Sequence, residues 1–350
     1  MTTAFYLLPG ARLPRGAAAE VLERLAPDVR AALERLGTGR EPPGLQRLSE
    51  PLHEYSPHRA WLWKVLTHRQ GAPVLAPYAW LAQGAPRLDQ AFWALDAWTQ
   101  SPEGRFARLE LPETALPKIA CAADAALRAR GLRLMISGRR LFAARRELFD
   151  FAARPFEDLC GMEAAHFGHL AHLTSGADAP AVLDLLEELK RALTPVLGDA
   201  LRGLWLSGGG FAEPVFPPST LRSVAADDPV ALAWAEAAGI PRSALGRFTG
   251  RTAWPEAPAG DRIAVLPHLY EAWLTHDWAA WSRALPEALE ALDCWRGLEK
   301  AAGIDASVLV LFGHADAATL LPEKKGAFGL FRRAAKQPLE SWLIDSEEER

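Results

Sequence analysis

At 350 residues the chain is long enough for two domains, or for one large one, with a sizeable core. Hydrophobic residues make up 49% and charged residues 23%, which excludes a disordered chain, and a net charge of −4 argues against a protein built mainly to coat nucleic acid. Three widely spaced cysteines, Cys121, Cys160 and Cys294, form neither a disulfide nor a zinc spacing and are expected as reduced, buried thiols. No charged-then-apolar leader opens the chain and no apolar run nears the roughly 20 residues of a membrane span, so a cytoplasmic protein with no membrane partner is expected.

Ala4-Phe5-Tyr6-Leu7-Leu8 reads as a first buried strand, broken by Pro9-Gly10. Residues 16–36 read as an amphipathic helix. Val21, Leu22, Leu25, Val29, Leu33 and Leu36 recur at helical spacing, and Pro27 either starts a second helix or kinks the first. Residues 37–51 read as loop, followed by helical pieces over 59–68 and 74–82. Phe92-Trp93-Ala94-Leu95-Asp96 and residues 106–111 read as strands. Residues 117–130 read as a helix stopped by Gly131, and 132–137 as a strand running into a turn at Gly138. Residues 180–197 form a clear helix with Val182, Leu185, Leu186, Leu189 and Leu193 on one face. Further helix is read over 229–238 and across most of 262–302, with Pro267 and Pro286 as starts or kinks, and 307–312 as a last buried strand. This alternation predicts an α/β or α+β fold, a mixed sheet flanked by helices. A composition change near 155–180 suggests an N-terminal α/β region over 1–175, a C-terminal region over 176–322 and a charged tail over 323–350. The thirteen tryptophans are expected mainly as buried rings, although the Trp-rich segment 273–281 also offers a face for a homo-oligomer.

The chain turns on Gly203-Leu204-Trp205-Leu206-Ser207-Gly208-Gly209-Gly210-Phe211-Ala212-Glu213-Pro214. A short apolar run stops at three glycines, with Pro217 and Pro218 behind it, which is the composition of a buried strand ending in a sharp, crowded turn. Glycine lets backbone N–H groups approach an anion, so Ser207, Gly208, Gly209 and Gly210 are candidate ligand-binding residues. The alternative is a strand that leaves its sheet through a tight turn. No Gly-Lys-Ser/Thr follows, so this is not a P-loop. Gly203 stands four residues before Ser207 rather than two, so it is not a hydrolase nucleophile elbow either.

Leu204 to Gly210 followed by Pro214 resembles the LWLWGGG…P signature of RpfE-type bacterial proteins. Ala94-Leu95-Asp96 is similar to that family's Ala-Asp-Pro segment, Asp277-Trp278-Ala279-Ala280-Trp281 to its DW..W helix, and Leu289-Glu290 to Trp295 to the LE..W that follows. Ser207 replaces the signature's second Trp, Ala97 its Pro, and Glu187-Glu188-Leu189-Lys190 keeps only an acid of its Asn-Glu-x-Gln-Met pattern. The resemblance implies a regulatory protein whose C-terminal half looks like part of the cofactor-independent phosphoglycerate mutases, hence a partial alkaline-phosphatase-like architecture. Those mutases need two metal ions held by Asp and His clusters, and a Ser that carries the phosphate.

In this chain the first strand ends Leu7-Leu8-Pro9-Gly10 with no carboxylate, and Gly313-His314-Ala315-Asp316 is the nearest approach to an Asp-His-Gly motif. No mutase activity, no catalytic residue and no cofactor are therefore expected. His314 and Asp316 follow a buried strand, where α/β proteins often bind ligands, and are candidate binding residues beside the glycines if the two strands are neighbours. His166 and His169, in a His-x-x-His-x-x-His run with His172, are weak metal candidates beside the simpler reading of a solvated His-rich segment. Arg128, Arg130, Arg133, Arg139, Arg140, Arg145 and Arg146 either meet nucleic acid or an acidic partner, or form a solvated face; no nucleic-acid motif accompanies them. The expected function is non-catalytic binding of a small anionic ligand or a protein partner. The alternatives are a metal-dependent phosphatase or phosphomutase-like enzyme and a nucleic-acid-associated regulator.

Overall fold

The computed structural model describes residues 2–39, 43–47, 56–69, 72–167, 173–213, 215–216, 220–249, 253–314, 316–321 and 335–345. In chain order the elements are β1 (Thr3–Leu8), α1 (Arg15–Arg24), α2 (Pro27–Leu36), β2 (Thr38–Gly39), β3 (Gly44–Arg47), α3 (Pro57–Thr67), α4 (Ala76–Ala82), β4 (Ala91–Gln100), β5 (Phe106–Arg108), α5 (Leu116–Ala129), β6 (Arg133–Ser137), β7 (Arg140–Arg145), β8 (Ala152–Ala153), β9 (Thr174–Ser175) and α6 (Ala179–Leu197). Then follow β10 (Gly203–Phe211), β11 (Leu221–Ala225), α7 (Pro229–Ala237), β12 (Leu245–Gly246), β13 (Asp261–Val265), α8 (Tyr270–Leu274), α9 (Trp278–Gly297), β14 (Ala306–Phe312), β15 (Asp316–Leu320), β16 (Ala335–Lys336) and α10 (Glu340–Leu343). Two compact units emerge: Met1–Glu50, Lys64–Arg69 and Val215–Arg350 make the first, Pro51–Trp63 and Gln70–Pro214 the second. A cut at residue 175 falls inside the second unit, because β10 pairs with β4 there.

The first unit is a seven-stranded mixed sheet in the order β12-β11-β13-β1-β14-β15-β3. β1, β13 and β14 run parallel side by side. Strands buried on both faces read as continuous apolar runs, which is why 4–8 and 307–312 are legible in sequence. Ala4, Tyr6 and Leu8 alternate onto a core built with Leu309 and Leu311 of β14, Ala264 of β13 and the tryptophans of α8 and α9. Pro27 opens α2 as its first residue, and Asp277 caps α9 by accepting from the Ala280 N–H at 2.8 Å. The expected helix over 262–302 is corrected at its start: Arg262-Ile263-Ala264-Val265 is strand β13. So short a strand, with an apolar stretch of only Ile263-Ala264-Val265, has no period that distinguishes strand from helix, and pairing with β1 and β11 decides it. Strands β3, β7, β11 and β15 are also absent from the sequence reading, β3 within a segment read as loop.

The second unit is an antiparallel sheet in the order β10-β4-β7-β6, with β5 also on β4. Helices α5 and α6 bury their apolar stripes against Trp93, Leu95, Leu141, Ala143, Leu204 and Leu206. The α6 stripe is the one read from its spacing, Val182, Leu185, Leu186, Leu189 and Leu193.

Six tryptophans are among the largest fully buried side chains, including Trp273 and Trp281 of the Trp-rich segment, whereas Trp278 between them is half-buried. The cysteines differ from expectation: all three are free, but Cys121 and Cys294 are exposed. Among the described residues no helix is long and apolar enough to cross a membrane.

Candidate functional site

The loop after β1 is fixed by indoles. Trp281 Nε1 donates to Gly10 O at 2.7 Å and Trp273 Nε1 to Arg12 O at 2.9 Å. Gly10 has φ +72°, and a Cβ there would lie 2.6 Å from Trp273 Cβ, so only glycine fits. The loop delivers Arg12 to the C-terminal ends of the parallel strands. There its Nη1 lies 2.8 Å from Asp316 Oδ1, with the two side chains only 1% and 3% exposed. Its Nη2 donates to Ile344 O, and the His314 N–H donates to the Asp345 carboxylate. Burial pulls the Arg12 pKa below its ordinary value, and Asp316 and Asp345 oppose that pull. Gly313 is required between these groups, since a Cβ would meet Asp345 Oδ2 at 2.4 Å and Arg12 Cβ at 3.0 Å.

His314 stacks on Trp273 with ring centroids 4.0 Å apart, and the exposed His276 meets it edge-on at 5.7 Å. His276 has φ +55°. It ends α8 in the left-handed conformation, its N–H donating to Trp273 O at 3.2 Å while Asp277 N–H donates to Ala272 O at 2.9 Å. Two of the residues singled out in sequence, His314 and Asp316, thus lie in one cluster. Arg12, Asp345, Trp273 and His276 were not singled out for it, and no spacing rule links residues so far apart in the chain. Asp316 is buried in an ion pair, and two carboxylates share one guanidinium, so the local charge does not favour an anion.

The glycine stretch lies elsewhere. β10 and β14 belong to different sheets, so the condition that would have brought His314 and Asp316 beside the glycines does not hold. β10 does not end at the glycines but runs through them to Phe211, with its register on β4 shifting between Ser207 and Gly210. Gly208 and Gly209 together face Trp93, a β-bulge. A Cβ at Gly209 would lie 2.1 Å from Trp93 Nε1, one at Gly208 2.8 Å from Leu75 Cβ, and one at Gly210 2.5 Å from Val74 Cγ1. Leu75 N–H donates to Gly208 O at 3.1 Å. The room left by the missing side chains is therefore filled by Trp93, Val74 and Leu75. Ser207 is 2% exposed.

The second unit also holds a half-buried ionic network, with Asp96 and Asp158 its buried members, that sequence reasoning missed. Arg108 Nη2 lies 3.0 Å from Asp96 Oδ1 and 3.1 Å from Glu157 Oε1, and Arg140 Nη2 lies 3.1 Å from the same Glu157 oxygen. Arg59 lies 3.7 Å from Asp158, which also accepts from Ser56 Oγ. Burial, reinforced by Glu157, pushes the Asp96 carboxyl up to about 6. Burial also acts to raise Glu157, but Arg59, Arg108 and Arg140 outweigh it and hold that carboxyl down at about 2. Burial pushes the Cys160 thiol up to about 11, away from nucleophile chemistry. Two carboxylates whose affinities for a proton differ so widely are what an acid–base pair requires, but three guanidinium groups crowd the site, and an ion-pair network produces the same split.

Of the weak metal candidates, His169 lies outside the described residues, as does the side chain of His166. Of the tail expected over 323–350, residues 323–334 and 346–350 lie outside them too, while 335–345 carry β16 and α10, with Trp342 and Leu343 buried. The arginine cluster is largely paired: Arg128 with Asp124 at 2.8 Å, Arg139 with Glu113 at 3.4 Å, Arg140 with Glu157 and Arg145 with Glu147, both at 3.1 Å.

The metal pair implied by the resemblance does not fit the strand ends. Where the first strand would have to supply a carboxylate, the chain supplies Arg12, and a divalent ion beside Asp316 would meet a fixed positive charge and a carboxylate already held. Among the described residues no group of three or more His, Cys, Asp and Glu side chains is placed to hold a metal ion.

No protein-family model matches the chain, and no curated protein matches it. Among solved structures, the chain is similar to a cofactor-independent phosphoglycerate mutase from Thermoplasma acidophilum DSM 1728, at 14% identity and a TM-score of 0.45, covering 99% of this chain and 95% of that one. It is also similar to the PH0037 protein from Pyrococcus horikoshii, at 11% identity and a TM-score of 0.41, covering 93% of this chain and 88% of that one.

Proposed function

We propose that the chain is a non-catalytic regulatory protein of the RpfE type, which binds a small anionic ligand or a protein partner. The observation that carries this reading is the Arg12–Asp316 pair. It puts a buried guanidinium at the strand ends where phosphoryl-transfer chemistry of the mutase kind needs metal ions to offset charge and activate a nucleophile. The glycine signature supports kinship with the RpfE type and acts here in packing, against Trp93, Val74 and Leu75.

The test is an activity screen of the purified protein with Mg, Mn, Zn or Co added, against 2- and 3-phosphoglycerate and p-nitrophenyl phosphate. The expected outcome is no turnover above buffer and no stoichiometric bound metal. Metal-dependent turnover that is lost in Asp316→Asn would overturn the reading in favour of a phosphatase or phosphomutase-like enzyme.

A further inference from the structure

Arg262 sits near the start of β13, away from the strand ends described above. It is 5% exposed and shares a face with Ala264, which directs it toward Trp254. Its Nη1 donates to Pro255 O at 2.9 Å, and its Nη2 to Ala257 O at 3.2 Å and Ala302 O at 3.4 Å. All three acceptors are neutral. Among the described residues the Nε–H has no acceptor, and neither has the indole N–H of Trp254, whose ring centroid lies 5.9 Å from the Arg262 guanidinium carbon. Burial lowers the Arg262 pKa, and no carboxylate of the described residues acts on it. Glu299, a buried acid of the same unit, accepts instead from Tyr6 Oη at 3.0 Å and Ser307 Oγ at 2.6 Å.

Arg262 and Trp254 line a pocket of about 620 Å³. Leu298, Ala302 and the Trp254 ring give it apolar walls, Ser243 adds a hydroxyl, and the exposed Glu256 adds one carboxylate. A buried cation held only by carbonyl dipoles lacks the counter-charge that buried ions ordinarily have. Two buried N–H donors without acceptors among the described residues, carried by two residues that line one pocket, are a second departure from the rule that buried polar groups are satisfied. A ligand oxyanion supplies both the missing charge and the missing acceptors, and the apolar walls suit a hydrocarbon body attached to it.

We infer that the pocket formed by Arg262 and Trp254 binds the carboxylate or phosphate group of a small organic anion with an apolar body. The inference rests on the reading of the chain as a binding protein and names where the anion goes. Glu256 weakens the site by like charge, and the loop carrying Trp254, Pro255 and Ala257 adjusts as the anion takes over part of the carbonyls' role.

Isothermal titration of the full chain tests this, with benzoate, phenyl phosphate, inorganic phosphate and neutral benzyl alcohol as probes. Benzoate or phenyl phosphate is expected to bind saturably, and benzyl alcohol at least about tenfold more weakly. Inorganic phosphate is expected to bind more weakly than phenyl phosphate; equal affinity overturns the apolar body. Arg262→Gln is expected to weaken anion binding by about tenfold or more, Trp254→Phe by a few-fold, and Glu256→Gln to strengthen it a few-fold. Where Arg262→Gln does not fold, the opposite signs of Trp254→Phe and Glu256→Gln carry the test. Silence of all anions at about ten millimolar overturns the site. So does equal binding of the neutral probe. Anion binding that ignores all three substitutions overturns the site while leaving the binding-protein reading intact; turnover of a phosphate ester overturns that reading whatever these titrations give.

Discussion

Arg12 Nη1 and Asp316 Oδ1 lie 2.8 Å apart with both side chains almost wholly buried, joining the loop after the first strand to the strand that follows β14. Leaving one member of such a pair without the other strands a charge in a low-dielectric interior.

Asp316→Ala is therefore expected to lower the unfolding free energy by about 3–5 kcal/mol. The double replacement Arg12→Met with Asp316→Leu is expected to cost less than either single removal, because no charge is then left unpaired. Urea denaturation of Asp316→Ala, Arg12→Met and the double variant checks this. A loss under about 1 kcal/mol for Asp316→Ala would place the pair among solvated surface ion pairs.

The glycines of β10 differ from an ordinary helix glycine in what surrounds them. Gly209→Ala drives a Cβ to 2.1 Å from Trp93 Nε1, whereas a Cβ at Gly297 meets nothing within 4 Å. Gly209→Ala is expected to destabilise by about 1–3 kcal/mol. Gly297→Ala, at the end of α9, is expected to be neutral or to stabilise by up to about 1 kcal/mol. Thermal unfolding of the two variants side by side separates crowding from a general glycine effect.

His276 occupies a left-handed position that glycine fills more easily. His276→Gly is expected to stabilise by up to roughly 1 kcal/mol, less what is lost with the stacking on Trp278. His276→Val, whose branched side chain tolerates the conformation poorly, is expected to destabilise. Melting temperatures that move in the same direction for both would show that the ring contacts, and not the backbone, set the cost at this position.

The Asp96 network gives a pH dependence whose sign follows from the two carboxyls. Asp96 titrates at about 6 when folded against 3.8 for an ordinary Asp, so between these values the folded state holds more protons and Asp96 lowers stability as pH rises. Glu157, held at about 2 against 4.5, adds stability that is present above 4.5 and lost as pH falls toward 2. Asp96→Asn removes only the first effect. The urea midpoint of that variant is expected to rise more steeply with pH than the wild type between pH 4 and 6, and parallel profiles there would argue that Asp96 titrates at its ordinary value.

Much of the architecture was legible in the amino-acid order. Strands β1 and β14 are buried on both faces and read as apolar runs, α6 repeats its leucines at helical spacing, and Pro27 marks a helix start by local backbone chemistry. β13 was not legible, because Arg262-Ile263-Ala264-Val265 is too short to carry a period and became a strand only by pairing between β1 and β11. The triple glycine was visible as exceptional, but its cause was not: the same composition serves an anion cradle or a bulge under Trp93.

The sequence by itself determined the amphipathic helices, the strands buried on both faces, the exceptional glycine run at 208–210 and the want of a carboxylate at the end of the first strand. Only the tertiary structure decided which charges meet. Arg12 finds Asp316, Arg108 finds Asp96 and Glu157, and Arg262 finds carbonyl oxygens with no acid partner among the described residues. Charge pairing acts through space at a few ångströms, and no periodicity along the chain encodes which distant residues the fold will bring within that distance.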